Sequence, residues 1–343
     1  MYIINMKYLL LLFLIFVIFY YININLNINE HMSMKDPYFN KFFKDSGYKI
    51  DTDNYSINKC ENDKCIEIKK YSTKYFNNNE SHYLAKNKDQ SNKIFLENNI
   101  PVPKHWIINK ENKNYYLNEF NIFFPCVLKP IDGMQGKDVN TFIKNKIQYS
   151  KILNNLLNKY DKIMLENQVD GDNYRIFVFN DKVIDVIKRE KPFIIGDGIN
   201  DISSLIEIKN NNQRKKKLFP TKNIDYEYIL EQGFNKDDIP DNNKIIFITN
   251  TINFHNGANP VRIKLEDIPE ININMFIKAH KLIGLECSGV DYMSDDIKLP
   301  YNSEDGKGHI IEINDMVDTK IHIDSDNKSK PFFLYENILK SIQ

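Results

Sequence analysis

The sequence predicts mixed α and β layers, because strand-like and helix-like patterns alternate after Lys86, and two of the apolar strand patterns end on or carry a charged residue. The strand pattern at 127–129 ends in Lys129, and the pattern at 309–313 (HIIEI) carries Glu312. At 343 residues the chain suits one large domain or two or three interlocked smaller ones. Lys plus Arg and Asp plus Glu both number 46, so bulk electrostatic binding to nucleic acid is not expected. A hydrophobic content of 42% with 27% charged residues argues against wholesale disorder. The four cysteines, Cys60, Cys65, Cys126 and Cys287, are too few and scattered for a disulfide scaffold, and Cys60 and Cys65 lack a second Cys/His pair at metal-ligand spacing. Cys126 and Cys287 are expected in the core.

The first element is residues 8–22 (YLLLLFLIFVIFYYI), an uncharged run that follows Lys7 and ends in interfacial Tyr20 and Tyr21. At ~1.5 Å per residue it reaches about two-thirds to three-quarters of a ~30 Å hydrocarbon core. No small-residue cleavage site follows, so an uncleaved membrane anchor is favoured over a signal peptide. Translation from Met32 or Met34 would remove it. Residues 31–86 show short strand patterns at 65–68 and 71–76 and no recognisable chemistry.

Residues 88–99 read as a helix stopped by Ile100-Pro101-Val102-Pro103. A strand at 127–129 leads into the glycine-containing hairpin PIDGMQGKDV at 130–139, whose Gly133 and Gly136 permit positive φ and close approach of backbone N–H groups to a phosphate. Most such hairpins are only turns. An amphipathic helix follows over 147–160, then a strand at 163–169 holding Glu166, then two strands, 174–179 and 183–187, around Asn180-Asp181. Arg175 and Arg189 on that hairpin are candidate anion contacts, and the basic run at 214–217 reads as a solvated loop. A helix at 271–283 precedes a strand at 287–292 carrying Asp291 and the strand carrying Glu312. Strand alternation puts Glu312 and Asn314 on one face. A carboxylate in so apolar a strand requires a cation, an arginine or a solvated pocket opposite it, and Asp291 can add a third hard oxygen suited to Mg2+.

The ordered set, NKDQSNKIFLENNIPVP, FPCVLKPIDGMQGKDV, MLENQVDGDNYRIFVFNDKVIDVIKREKPFIIGDGINDISSLIE, INFHNGA, IGLECSGVDYMSDDI and HIIEIND with IHI after it, resembles the ATP-grasp carboxylate–amine ligases. The likeness is greatest to the ATP-grasp part of cyanophycin synthetase and its relatives, and it covers residues 86–323. It implies an ATP-grasp fold, two α+β subdomains clamping ATP, preceded here by the short N-terminal hydrophobic helix. The implied organisation is a hydrophobic segment over 1–30, a region of unclear fold over 31–86, the first part of the ATP-grasp domain with its nucleotide-covering lid over 87–170, and the C-terminal part with the metal site over 171–343.

Position by position, the resemblance implies that Lys88 and Lys129 hold nucleotide phosphates and that Gly133, Gly136 and Lys137 belong to the loop closing over them. Glu166, Asn167, Gln168 and Val169 resemble the adenine-recognising linker, and Asn173 stands where an acidic residue commonly contacts ribose. Asp291, Glu312 and Asn314 match the magnesium ligands, with Mn2+ as an alternative ion. Arg175 and Arg189 match arginines near the substrate carboxylate or the acyl phosphate. The sequence departs from the family in three places: Asp138 replaces a loop glycine, Val317-Asp318 replaces Pro-Gly, and Arg262 stands where aspartate is usual. The sequence also lacks the Mur-ligase-like half of cyanophycin synthetase, so it is not expected to make cyanophycin by itself.

The implied activity is ATP- and Mg2+-dependent joining of a small-molecule or peptide carboxylate to an amine through an acyl phosphate. A degenerate module that binds nucleotide or a protein partner without ligation is the rival, and a carboxylate or hydroxyl kinase a third reading. By analogy with relatives the chain can be a homo-oligomer, and its ATP chemistry places the body on the cytoplasmic side if residues 8–22 anchor it, or free in the cytoplasm if translation starts at Met32 or Met34.

Overall fold

The computed structural model describes residues 49–51, 56–61, 64–69, 72–74, 77–133, 137–215, 218–315, 317 and 321–322. The expected membrane segment at 8–22 lies outside the described residues. Among the described residues no helix is long and apolar enough to cross a membrane. The chain divides into two units, Met1–Lys70 and Tyr71–Gln343. In the first, β1 (Lys49–Asp51), β2 (Ser56–Glu61) and β3 (Lys64–Lys69) run as an antiparallel meander, so the pattern at 65–68 is a strand.

The second unit starts with β4 (Ser72–Lys74) and the helices α1 (Asn79–Lys86) and α2 (Lys88–Glu97). Both helices begin at asparagines: Asn78 Oδ1 accepts from the Ser81 N–H and Asn87 Oδ1 from the Gln90 N–H. Such caps satisfy an otherwise orphaned helix donor, so part of the chain's asparagine excess has a structural use.

A four-stranded antiparallel sheet follows, in the order β5-β8-β6-β7. It comprises β5 (His105–Asn109), β6 (Cys126–Pro130), β7 (Asn140–Ile143) and β8 (Lys162–Asn167). The short α3 (Lys113–Asn118) follows β5, and α4 (Lys146–Leu157) lies between β7 and β8. Tyr149, Leu153, Leu156 and Leu157 of α4 pack on Ile108, Cys126, Leu128, Ile163 and Leu165, so one face of this sheet is a small apolar core.

The larger sheet has the order β13-β10-β9-β14-β15 and is antiparallel throughout. Its hairpin joins β9 (Asp172–Phe179) to β10 (Lys182–Glu190) through Asn180 and Asp181, whose φ values of 47° and 58° fit the twist-matched two-residue turn expected there. Between β10 and the next strand of this sheet the chain detours through β11 (Phe193–Ile195), α5 (Ile202–Lys215), α6 (Tyr226–Glu231) and β12 (Ile245–Phe247), which enclose a core of their own around Ile194, Leu205, Ile229 and Ile246. The basic run read as a loop is corrected here in part: Arg214 and Lys215 form the last turn of α5, where cations suit the helix dipole. Then come β13 (Asn259–Ile263), α7 (Glu270–Ile283), β14 (Cys287–Ser294) and β15 (Gly308–Asn314).

Strand alternation gives the large sheet two unlike faces. Ile176, Val178, Val186, Val290, Tyr292 and Ile313 face α2 and α7 in the main core. The other face presents the row Arg262, Ile187, Arg175, Asp291 and Glu312, each directly opposite its neighbour on the next strand. Cys126 and Cys287 are buried, as expected.

His280 on α7 is fully buried, with Nδ1 against Ser288 Oγ at 2.8 Å, and burial pushes its imidazolium pKa down to about 4. The unfolded chain takes up this proton near 6.5 while the native one does not until about 4, so acid favours unfolding. Stability is expected to fall by about 1 kcal/mol per pH unit on this account as pH drops from 6.5 toward 4. Urea melts across that window should show a shallower slope for His280→Gln.

Candidate functional site

The polar face of the large sheet collects most of the residues singled out in the sequence. Asp291 on β14 stands opposite Arg175 on β9 and Glu312 on β15. Arg175 Nη1 lies 2.7 Å from Asp291 Oδ1, and Arg189 Nη2 reaches the same oxygen at 3.0 Å from β10. Arg189 also donates from Nε to Asn173 Oδ1 at 2.6 Å, so the predicted ribose contact is engaged by an arginine. Asn314 donates to Glu312 Oε1 at 3.1 Å, which verifies their shared face.

Gly289 explains how Arg175 lies flat across β14. A Cβ at residue 289 would come within 2.9 Å of the Arg175 guanidinium carbon, and the Arg175 Nη1 donates to the Gly289 carbonyl at 3.2 Å. Glycine at this position permits the close approach of a side chain to the strand backbone.

Two lysines complete the charge pattern. Lys88, at the start of α2, donates to the carbonyls of Gly133 at 2.8 Å and Ile131 at 3.3 Å, and its Nζ is 3.7 Å from Glu312 Oε2. Lys129 on β6 is buried and pairs with buried Glu166 of β8 at 2.8 Å. The pair lies on the face of the small sheet away from α4, because Lys129 opposes Met164 and Glu166 opposes Val127. Glu166 Oε1 is buried with no partner among the described residues, an acceptor that a ligand donor can use.

Electrostatics divide the two carboxylates. Burial alone pushes Glu312 up, but Lys88, Lys129 and the Asn314 amide outweigh it and hold the group down at about 2. Asp291 moves the other way: burial raises it, and the adjoining Glu312 adds to this against the pull of Arg175 and Arg189. The two carboxyls stand opposite each other on neighbouring strands, and each bears on the other's ionisation. The repulsion within such a carboxylate pair is one that a divalent cation can relieve. With the Asn314 amide oxygen the donor set is hard and suits Mg2+. Among the described residues no group of three His, Cys, Asp or Glu side chains is arranged as a metal site.

The remaining predicted residues are more dispersed. Gly133 is described, Gly136 lies outside the described residues, and Lys137 is exposed. Asn167 ends β8, while Gln168 and Val169 follow it and Gln168 Oε1 accepts the Phe142 N–H at 3.0 Å. Asp138 has φ 57°, the conformation for which glycine is favoured, and its carboxylate is held by Tyr160 Oη at 2.7 Å and Lys159 Nζ at 3.3 Å. The tyrosine and lysine hydrogen bonds hold that carboxyl below its usual range.

Sequence reasoning missed Asp185. It is buried and meets Arg262 twice, Nε to Oδ1 at 2.9 Å and Nη2 to Oδ2 at 3.2 Å, and His322 Nδ1 at 3.0 Å. The unusual arginine at 262 is therefore matched by an acid two strand positions from Ile187, its opposite residue. A lone aspartate inside the apolar run at 183–187 was the available signal.

Residues 85–193 match the RimK-like ATP-grasp domain. Cyanophycin synthetase of Trichormus variabilis is 26% identical over 247 residues, 70% of this chain and 27% of that protein. The glutathione biosynthesis bifunctional protein GshAB of Listeria welshimeri is 27% identical over 267 residues, 72% of this chain and 32% of that protein. The chain thus spans under a third of the length of these curated relatives. The crystal structure of a bifunctional glutathione synthetase from Pasteurella multocida superposes with a TM-score of 0.58 at 19% identity, covering 85% of this chain and 42% of that one, a likeness of fold. Residues 85–193 thus match the RimK-like ATP-grasp domain, and over a wider span the chain is similar in sequence to these ligases and in fold to the glutathione synthetase structure.

Proposed function

We propose that the chain is an ATP- and Mg2+-dependent carboxylate–amine ligase acting on amino acid or peptide substrates through an acyl phosphate. The observation that carries this reading is the meeting of Lys88, Arg175 and Arg189 with the Asp291–Glu312 pair in one network, beside the buried Lys129–Glu166 pair. Relatives named for cyanophycin and glutathione synthesis support it.

In this reading Glu166 Oε1 and the backbone of Gln168 and Val169 receive the adenine, while Lys88 and Lys129 draw the phosphates toward Glu312. Asp291, Glu312 and the Asn314 oxygen would hold Mg2+. The ion, when bound, neutralises phosphate charge as it spreads over the transferring oxygens. Arg175 and Arg189 turn from Asp291 toward the substrate carboxylate, orient it for attack on the γ-phosphorus, and then hold the acyl phosphate. An amine displaces phosphate from that acyl group to leave an amide. Positioning and fixed charge do this work, and no nucleophilic side chain is required. A second reading, nucleotide binding without ligation, is favoured by the engagement of Asp291 Oδ1 by both arginines, which leaves the metal ligand already compensated.

Residues 1–343, incubated with ATP, Mg2+ and pools of amino acids or dipeptides, are expected to release ADP and phosphate faster with one pool. Chelation of Mg2+ and Glu312→Ala should each abolish that stimulation. Nucleotide binding with no stimulating pool would favour the second reading. Gly289→Ala probes the arginine: a Cβ there makes the Arg175 guanidinium move while Asp291 keeps Arg189, so the loss of stability should stay below the about 3–5 kcal/mol of a fully broken buried pair. The displaced Arg175 should nonetheless cost at least about tenfold in stimulated turnover, about 1.4 kcal/mol of transition-state stabilisation.

A further inference from the structure

Phe142 is a bulky residue with φ 54°, a backbone region that β-carbon-bearing aromatic residues rarely enter. It sits in a β-bulge: Cys126 opposes Ile143 and Leu128 opposes Asn140, so Thr141 and Phe142 together face the single residue Val127. The bulge turns the Phe142 N–H away from β6, and it is received instead by Gln168 Oε1 at 3.0 Å. The strained residue is thus tied directly to the segment read as the nucleotide linker.

Its ring has an equally specific partner. Lys191, two residues beyond Arg189, places its ammonium 5.6 Å from the centroid of Phe142 and 5.6 Å from that of Tyr228 on α6, and 2.7 Å from Asn250 Oδ1. Both ring distances are within cation–π reach. Phe142 belongs to the small sheet, Lys191 to the exit of the large sheet, and Tyr228 to the inserted β11–β12 unit, so one ammonium joins all three. An exposed ion pair, Lys144 with Glu231 at 3.0 Å, runs between α6 and the β7–α4 turn beside it.

We infer that Lys191 is a positioning residue. Held between Phe142 and Tyr228, it couples occupancy of the nucleotide linker, through Gln168 and the Phe142 bulge, to the placement of the β10 end that carries Arg189. The inference rests on the reading of residues 166–169 as the nucleotide linker. Lys191 itself is not assigned a contact with nucleotide. Gln168 and Lys191 hold the same strained residue from two sides, so a change at one partner alters the support that the other provides.

The test uses the full chain and two measurements: amide exchange over residues 140–143 without nucleotide, and the affinity for ADP with Mg2+. Lys191→Met is expected to accelerate exchange at 140–143 and to weaken ADP binding about five- to twentyfold, the range of modest coupling between sites. Lys191→Arg, which keeps the cation, should restore both. Tyr228→Leu, which keeps an apolar side chain, should reproduce the Lys191→Met effects and serves if the latter fails to fold. Wild-type exchange in Lys191→Met, or faster exchange with ADP affinity within twofold of wild type, would overturn the inference while leaving the ligase reading intact. Absence of any ADP binding by the wild-type chain would remove the linker reading and the inference together.

Discussion

Two carboxylates held side by side on one face of an antiparallel sheet repel each other, and around Asp291 and Glu312 that repulsion sets the arrangement of nearly every charged group nearby. Arg175 and Arg189 answer Asp291, and Lys88 answers Glu312 across from α2. Gly289 has no side chain because Arg175 must lie against its backbone. What repulsion remains makes Asp291 harder to ionise, as burial and the adjoining Glu312 both push its carboxyl up. The arginines and lysines thus compensate both carboxylates within the sheet face itself. Fixed cations surrounding a place where negative charge moves are the means by which phosphoryl transfer is accelerated without a protein nucleophile.

The same logic operates two strands away with the signs arranged differently. Asp185 is buried, and Arg262 and His322 surround it. A buried ion pair is costly to break on one side only, since the remaining charge loses its partner in a poorly solvating interior, at about 3–5 kcal/mol. Arg262 is therefore tied to Asp185, and the charge of the arginine at 262 is matched locally. Asp138 is handled similarly: its left-handed backbone meets the demand normally met by glycine, and Tyr160 and Lys159 offset its charge.

The strands that carry the chemistry were legible because their residues break the apolar pattern at single positions. Lys129, Asp291 and Glu312 each stand inside or at the end of a buried run, and such interruptions require a charged or polar partner. The Asn180-Asp181 turn and the proline stop after α2 were legible for local reasons, namely positive φ and the lost N–H. Asp185 had the same kind of signal and was passed over. Gly289 and Phe142 had none, since a glycine in a strand and an aromatic in a strand are both ordinary until the partner that passes over them is known. The inserted β11–β12 unit was only partly read, because its strands are three residues long and its helices depend on contacts distant in sequence.

By itself the sequence determined which residues are charged within apolar strands, which faces they share and in what order the motifs come, because side-chain alternation and local turn chemistry act over a few residues. Tertiary structure decided what those charges meet. It set Arg189 on Asn173 as well as on Asp291, gave Arg262 to Asp185, closed Tyr160 on Asp138, and brought Lys191 between Phe142 and Tyr228. Each of these pairings depends on strand register and on the approach of separate sheets, and such long-range geometry is fixed only when the cores pack.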